Sequence, residues 1–168
     1  MSERNEWYTP LHIIEAVKQI AVDIDLDPFS CAKANEVVQA ESYYTKKEPK
    51  GRCGLSLPWH GCVWINPPYE RGFPAKVAQK LRQDLGNIDM AFVLTNNCTD
   101  TAWWHELAKM ADLTCFLRGR LKFWGPNDAS SGAAQGQTLM LVMGSGHETP
   151  FKTTAHFEQV FGKLGRVL

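Results

Sequence analysis

Apolar positions along this chain keep two different rhythms. Leu11, Ile14, Val17 and Ile20 recur at the spacing that gathers side chains on one side of a helix. Thr9-Pro10 stands just ahead of them and predicts the helix start. Threonine can cap a helix, and proline suits the first helical position. The rhythm then shortens to two. Val22, Ile24 and Leu26 alternate with Asp23, Asp25 and Asp27, which predicts a short strand stopped by Pro28. A short helix is expected over 31–42. Residues 43–61, with Lys46, Lys47, Lys50, Arg52 and interspersed glycines and prolines, read mostly as loop. Residues 62–65 form the next apolar run and predict a strand. A helix follows Gly72 up to about Leu85, with Gly86-Asn87 as its stop signal.

The second half repeats the alternation. "MAFVLTN", residues 90–96, is an apolar run of strand length, expected of a strand buried on both faces. Thr99 or Asp100 is placed to cap a helix over "TAWWHELAKMA". "LTCFL", 113–117, reads as a strand, and "RLKF" continues it or starts another. Residues 125–137 have the composition of a flexible loop, 138–144 that of a buried strand, and 153–162 that of a helix. Short apolar strands alternating with amphipathic helices predict an α/β sheet covered on both faces. Ligands of such sheets bind beyond the carboxyl ends of the strands. Asp27 and Asn66 both fall at such ends.

The chain has 168 residues, the size of one compact domain, with no internal repeat and no linker long enough to divide it. Eighteen basic residues balance eighteen acidic ones. Any affinity for nucleic acid therefore has to come from local cations instead of a global field. The five cysteines form no C-x-x-C pair, and neither an apolar leader nor a run of membrane-spanning length is visible. These features predict a reduced cytoplasmic protein with free thiols and no membrane partner. Cys53, His60 and Cys62 lie close in sequence but lack a fourth ligand at metal-site spacing, so no metal is expected, and these residues read as small groups in or near the core.

The strand over 62–65 ends on Asn66-Pro67-Pro68-Tyr69. Asn66 and Pro67 each precede a proline, which pushes both towards extended backbone, and the prolines have φ set by their own rings. The turn is stiff before anything binds. Neither proline carries an N–H, so the main chain here offers acceptors, and Asn66 adds a side-chain carbonyl. Two acceptors held close suit an –NH2 group with two hydrogens to donate, and Tyr69 adds a ring on which a planar group can stack. An exocyclic amine on a base is a poor nucleophile because its lone pair is delocalised into the ring. Accepting both hydrogens moves the nitrogen towards tetrahedral geometry and frees the pair for an electrophile held in line. The plain alternative is a proline-rich turn that ends a strand.

With "EWYTP", "DIDLDPFS", "YYT…GLSLPW…VWINPPY", "TDTAWW" and "RGRLKF" in this order, residues 6–144 resemble the small phage-type DNA N6-adenine methyltransferases of the Dam-like family, encoded by a prophage or a bacterial host. The resemblance implies a Rossmann-like fold that uses S-adenosyl-L-methionine, with a mostly parallel sheet and helices on both faces. It implies that Asn66 and the Pro67 carbonyl accept hydrogen bonds from adenine N6, that Pro68 completes the motif, and that Tyr69 stacks on a base extruded from the duplex. Trp7, Tyr8, Thr9 and Pro10 match the segment around the methionine end of the cofactor. Asp27, Pro28, Phe29 and Ser30 match the cofactor motif after the first strand, with Asp27 a partner for the cofactor's amino group. Asp25, Asn35 and Glu41 are the candidates for the ribose hydroxyls. Phe123 or Trp124 matches an aromatic wall of the adenine pocket. Cys53 stands where relatives often carry an acidic residue, and no glycine-rich turn follows the first strand.

Arg118, Arg120 and Lys122 alternate, which would place all three on one face of an extended segment and makes them phosphate-contact candidates, with Arg71 a fourth. Asp23 reads as a solvated residue and Trp103-Trp104 as core packing. No stretch is long enough for a separate target-recognition domain. Specificity would rest on segments such as 43–61 and 125–137, and a short target, relaxed specificity or a homodimer would follow. Other planar amines, an RNA base or a protein glutamine, suit the same motif. A non-catalytic nucleic-acid-binding protein of the same fold is a separate class.

Overall fold

The computed structural model describes residues 7–45, 53–125, 130–132 and 135–168. Helix α1 spans Leu11–Lys18 and buries Ile13, Ile14, Ala16 and Val17. Its N-cap is Pro10, and no side chain caps it, so Thr9 does not take the capping role expected of it. Strand β1 is only Leu26–Asp27. The aspartate-rich alternation before it overstates its length, because Val22 lies 84% exposed on a bend and pairs with nothing. Helix α2 runs over Ala32–Val38, capped by the Cys31 sulfur, which accepts from the Ala34 N–H. The helix thus stops short of the expected 31–42, and strand β2, Ser42–Tyr43, takes the last residue of that stretch and the first of the expected loop. Lys46, Lys47, Lys50 and Arg52 lie outside the described residues.

Strand β3 covers Gly61–Ile65, helix α3 Phe73–Asp84, and strand β4 Ile88–Asn96. Helix α4, Ala102–Met110, starts one residue after the N-cap Thr101, later than Thr99 or Asp100 would have set it. Strands β5 (Leu113–Leu117), β6 (Lys122–Trp124), β7 (Ser130–Gly132) and β8 (Gln137–Met143) follow. The stretch 125–137 therefore contains strand β7, while residues 126–129, 133 and 134 lie outside the described set. Helix α5 spans Pro150–Phe161, and a short strand β9, Gly165–Val167, closes the chain.

Seven strands form one sheet in the order β2-β1-β3-β4-β8-β5-β9, and β6 and β7 make a separate hairpin. β1 pairs in parallel with β2 and β3, and β3 with β4. β8 is antiparallel to both β4 and β5, so five strands run one way, and only β8 and β9 oppose them. The sheet is thus an α/β sheet of Rossmann-like, mostly parallel character, with an antiparallel half.

Alternate residues of the central strands feed two cores. Cys62, Trp64, Phe92 and Leu94 pack with α1, α2 and α5, whereas Val63, Ile65, Ala91 and Val93 pack with α3 and α4. Burial on both faces explains why these strands read as continuous apolar runs. From β1 the chain goes out to β2 on one side, then crosses back to β3 on the other. That reversal opens a crevice at the carboxyl ends of β1 and β3, the place where such sheets bind ligands.

Candidate active site

The two strand ends at this crevice are Asp27 and Asn66. Leu26 is in register with Val63, so Asp27 closes β1 beside the last residues of β3, and Asn66 is the first residue beyond β3. Asp27 is 4% exposed. Its Oδ1 accepts the Phe29 N–H at 3.1 Å, and the Ser30 hydroxyl also faces the carboxylate. Burial disfavours the charge and pushes the Asp27 carboxyl up to about 7, against the pull of these two hydrogen bonds. Among the described residues no cation pairs with it.

The loop after β1 is braced from behind. A Cβ on Gly54 would lie 1.9 Å from the Pro28 carbonyl oxygen, so only glycine allows this approach. The Gly54 carbonyl accepts the Trp59 indole N–H at 2.6 Å, and Ser30 N–H donates to the Tyr44 carbonyl at 3.0 Å. The Phe29 ring stands edge-on to Trp59 and Phe73, so it packs the α3 side of the sheet, and its backbone N–H serves Asp27.

Asn66 is half-buried, and its Nδ2 donates to the Thr9 hydroxyl at 3.1 Å. The Asn66 Oδ1 has no hydrogen-bond partner among the described residues. Pro67 is buried, Pro68 half-buried, and Tyr69 is 41% exposed. The Tyr69 ring is open to solvent on one side, but its hydroxyl turns inward and donates to the Leu94 carbonyl at 3.1 Å. Burial pushes the pKa of that phenol well above its ordinary value, so it stays protonated.

The segment 7–10 ties these parts together across long sequence separations. Tyr8 and Trp124 exchange backbone hydrogen bonds at 2.7 and 3.3 Å, and their rings meet edge-on with centroids 4.8 Å apart. The Trp124 indole N–H donates to the Thr9 carbonyl at 3.2 Å. The Tyr8 hydroxyl lies 3.6 Å from the Cys31 sulfur, just past the loop that carries Asp27. Trp7 is exposed and Pro10 buried. Of the two aromatic-wall candidates, Trp124 meets this segment, while Phe123 is buried in the α1/α5 core.

Other candidates sit elsewhere or have other work. The Asp25 carboxylate accepts the Cys62 N–H at 2.6 Å, two residues behind Asp27 on the strand path, and anchors the entry to β3. The Asn35 amide bonds both polar groups of Ala40 and closes the turn after α2. Arg71, Arg118, Arg120 and Lys122 are all exposed. The alternation argument for the last three does not survive, because Gly119 has a φ of 74° and breaks the extended path between β5 and β6. Cys53 and His60 are exposed, and only Cys62 of that trio is in the core. Among the described residues no group of three or more His, Cys, Asp or Glu is placed to hold a metal, and no helix is long and apolar enough to cross a membrane.

Sequence reasoning missed a polar cluster at the carboxyl end of β4. The Gln137 amide nitrogen donates to Asn96 Oδ1, and the Thr138 hydroxyl donates to Asn97 Oδ1. Gln137 Oε1 and Thr95 Oγ1 are buried without a hydrogen-bond partner of good geometry among the described residues. The available signal was the same one that exposed Asn66: an apolar run, Met90–Leu94, ending on hydroxyl and amide residues.

No curated protein matches the chain. A family model described as DNA N-6-adenine-methyltransferase (Dam) matches residues 1–160.

Proposed function

The chain belongs to the Dam family of DNA N-6-adenine-methyltransferases, and from that premise we propose that it moves a methyl group from S-adenosyl-L-methionine to the N6 amine of an adenine extruded from DNA. That it is an adenine-specific DNA methyltransferase follows from the family; the donor, the reacting atom and the residue roles are the proposal. The observation that carries it is the Asn66 amide, pinned through Nδ2 so that Oδ1 is left to accept at the crevice between β1 and β3.

Asn66 Oδ1 and the Pro67 carbonyl accept the two N6 hydrogens and draw the nitrogen out of the plane of the base. The lone pair is then localised towards the donor's methyl. Tyr69 holds the base plane by stacking, with its ring fixed through the hydroxyl on Leu94. Trp124 walls the pocket from the hairpin side, held by Tyr8 and Thr9. When bound, the donor supplies an electrophilic methyl on a positively charged sulfur. A cationic donor fits the residues present, because Asp27 is a buried carboxylate with no cationic partner among the described residues, and an ammonium group would restore its charge. Catalysis in this scheme is positioning plus preorganised acceptors, and no covalent enzyme intermediate is required.

The test is incubation of the protein with isotope-labelled S-adenosyl-L-methionine and DNA, followed by nucleoside analysis. Label in N6-methyladenosine of the deoxy series is the expected result. Label on RNA or protein alone, or no donor binding by calorimetry, overturns the reading.

A further inference from the structure

We propose that Gln135 is a specificity-determining residue: its side-chain amide reads an A·T base pair beside the target adenine. The inference rests on the reading above that an adenine is drawn out of DNA into the crevice between β1 and β3. A base drawn in there leaves its duplex lying over the carboxyl ends of these strands. Whatever stands next to the crevice at those ends then meets the neighbouring base pairs. Ile65 is in register with Val93, and the Tyr69 hydroxyl donates to the Leu94 carbonyl at 3.1 Å. The ledge beside the catalytic turn is therefore the one built where β4 ends.

Residues 95–98, where β4 runs out, and residues 135–138, where β8 begins, make that ledge. They are joined at successive positions. The Gln137 amide nitrogen donates to Asn96 Oδ1, the Asn97 N–H donates to the Gly136 carbonyl at 3.0 Å, and the Thr138 hydroxyl donates to Asn97 Oδ1. The Cys98 thiol donates to Gln135 Oε1 at 3.4 Å. None of these eight residues is charged, and Asn96, Asn97, Gln135 and Gln137 carry amides. A surface that grips phosphates is rich in arginine and lysine. A stiff row of amides suits base edges instead, because an amide matches a neighbouring donor and acceptor as a pair.

Gln135 is the member placed to reach outward. It is exposed, whereas Gln137 is buried, and Asn96 and Asn97 spend their Oδ1 atoms inside the ledge. Among the described residues the Gln135 amide bonds only the Cys98 thiol, a weak partner that a base edge can replace. Its carbonyl and its –NH2 are then available together. A glutamine that uses both ends pairs with N6 and N7 of adenine. An exposed side chain can turn to present either end to either atom, so no other group has to orient it.

The test uses duplex oligonucleotides that carry one target adenine between randomised flanking pairs, with methylated sites mapped by sequencing. The parent is expected to favour an A·T pair at one flanking position by roughly tenfold, within the range that one bidentate contact supplies. Gln135→Ala should reduce that preference to about twofold or less. Gln135→Glu keeps the acceptor and loses the donor, and should move the preference towards cytosine, whose N4 amine donates. The preference is a ratio within one sample, so a partial loss of folded protein cancels. A parent with no preference at any flanking position overturns the proposal. So does a loss in Gln135→Ala that is equal on all flanks, which would give the residue a merely structural role. A parent that methylates no adenine would instead sink the proposed function. Competition between the same duplexes for binding, parent against Gln135→Ala, would then still decide what Gln135 does: equal affinity for all flanks, or no binding, overturns the proposal.

Discussion

The Asn66 amide and the Asp27 carboxylate show how much one polar atom depends on its surroundings. Asn66→Ala removes a preorganised acceptor, and turnover should fall about a hundred- to a thousandfold in a single-turnover methylation assay, with donor binding by calorimetry largely intact. Asp27 titrates at about 7 in the folded protein because burial disfavours its charge. A carboxyl whose folded value is raised keeps its proton longer than the unfolded chain does. Its ionisation therefore lowers stability as pH rises from the ordinary carboxylate range to about 7. Asp27→Asn should then stabilise the donor-free protein at pH 8, with the gain fading as pH falls towards 4 in parallel denaturant titrations. If Asp27 pairs with the ammonium of the donor, affinity for S-adenosyl-L-methionine should weaken by up to about tenfold per pH unit from about 7 down to 5, and Asp27→Asn should lose that dependence. Tyr69 separates two contributions. Tyr69→Ala loses the stacking face, worth roughly 1–3 kcal/mol per base. Tyr69→Phe keeps the face but loses the anchor on Leu94, so it should cost about 1 kcal/mol of stability and less of the DNA affinity than Tyr69→Ala.

Elements bring these residues together through close backbone approach. The loop after β1 lies against the segment before β3, with Gly54 at the contact. Gly54→Ala would force its Cβ onto the Pro28 carbonyl, and backbone cannot swing aside as a flexible side chain can. The variant should lose about 1–3 kcal/mol in denaturant unfolding and bind donor more weakly, because the displaced backbone carries Asp27 and its hydrogen-bonding neighbours. A second brace runs from α3. Asp84 is buried, accepts the Trp59 N–H at 2.7 Å and pairs with Lys80 at 2.6 Å. It thereby fixes the far end of the same segment against the helix that follows the catalytic turn.

At the scale of the whole molecule the charge sums to zero, so DNA has to be held by local cations. Arg71, Arg118, Arg120 and Lys122 are exposed, with Arg71 two residues after Tyr69 and Lys122 two residues before Trp124, although they do not share one strand face. Few phosphate contacts give a shallow salt dependence, at about −0.9 in slope for each phosphate neutralised. Arg120→Ala should weaken DNA binding alike on all sequences and lower the slope by about one in titrations at several salt concentrations. An unchanged slope would take Arg120 off the phosphates, and a loss confined to one sequence would mean that it reads a base.

What the sequence determined by itself was whatever depends on near neighbours. The apolar runs at 62–65, 90–94 and 139–142 marked the central strands, because residues buried on both faces of a sheet are mostly apolar. Asn66-Pro67-Pro68-Tyr69 and Asp27-Pro28 were visible as strand ends because proline sets the backbone beside it. Where near neighbours misled, a distant partner had decided the matter. Val22 fits a strand by alternation, yet it lies outside the paired part of β1 and stays in water. β9 is visible only because β5 has an edge to accept it. Arg118, Arg120 and Lys122 share a face on paper until Gly119 turns the chain. The tertiary structure alone decided that Thr9 leaves its helix uncapped and reaches Asn66, 57 residues away, while Trp124 comes from 115 residues away to hold it. Hydrogen bonds between such residues leave no periodicity in the sequence, because their spacing is set by how the strands are ordered in the sheet and not by the step from one residue to the next.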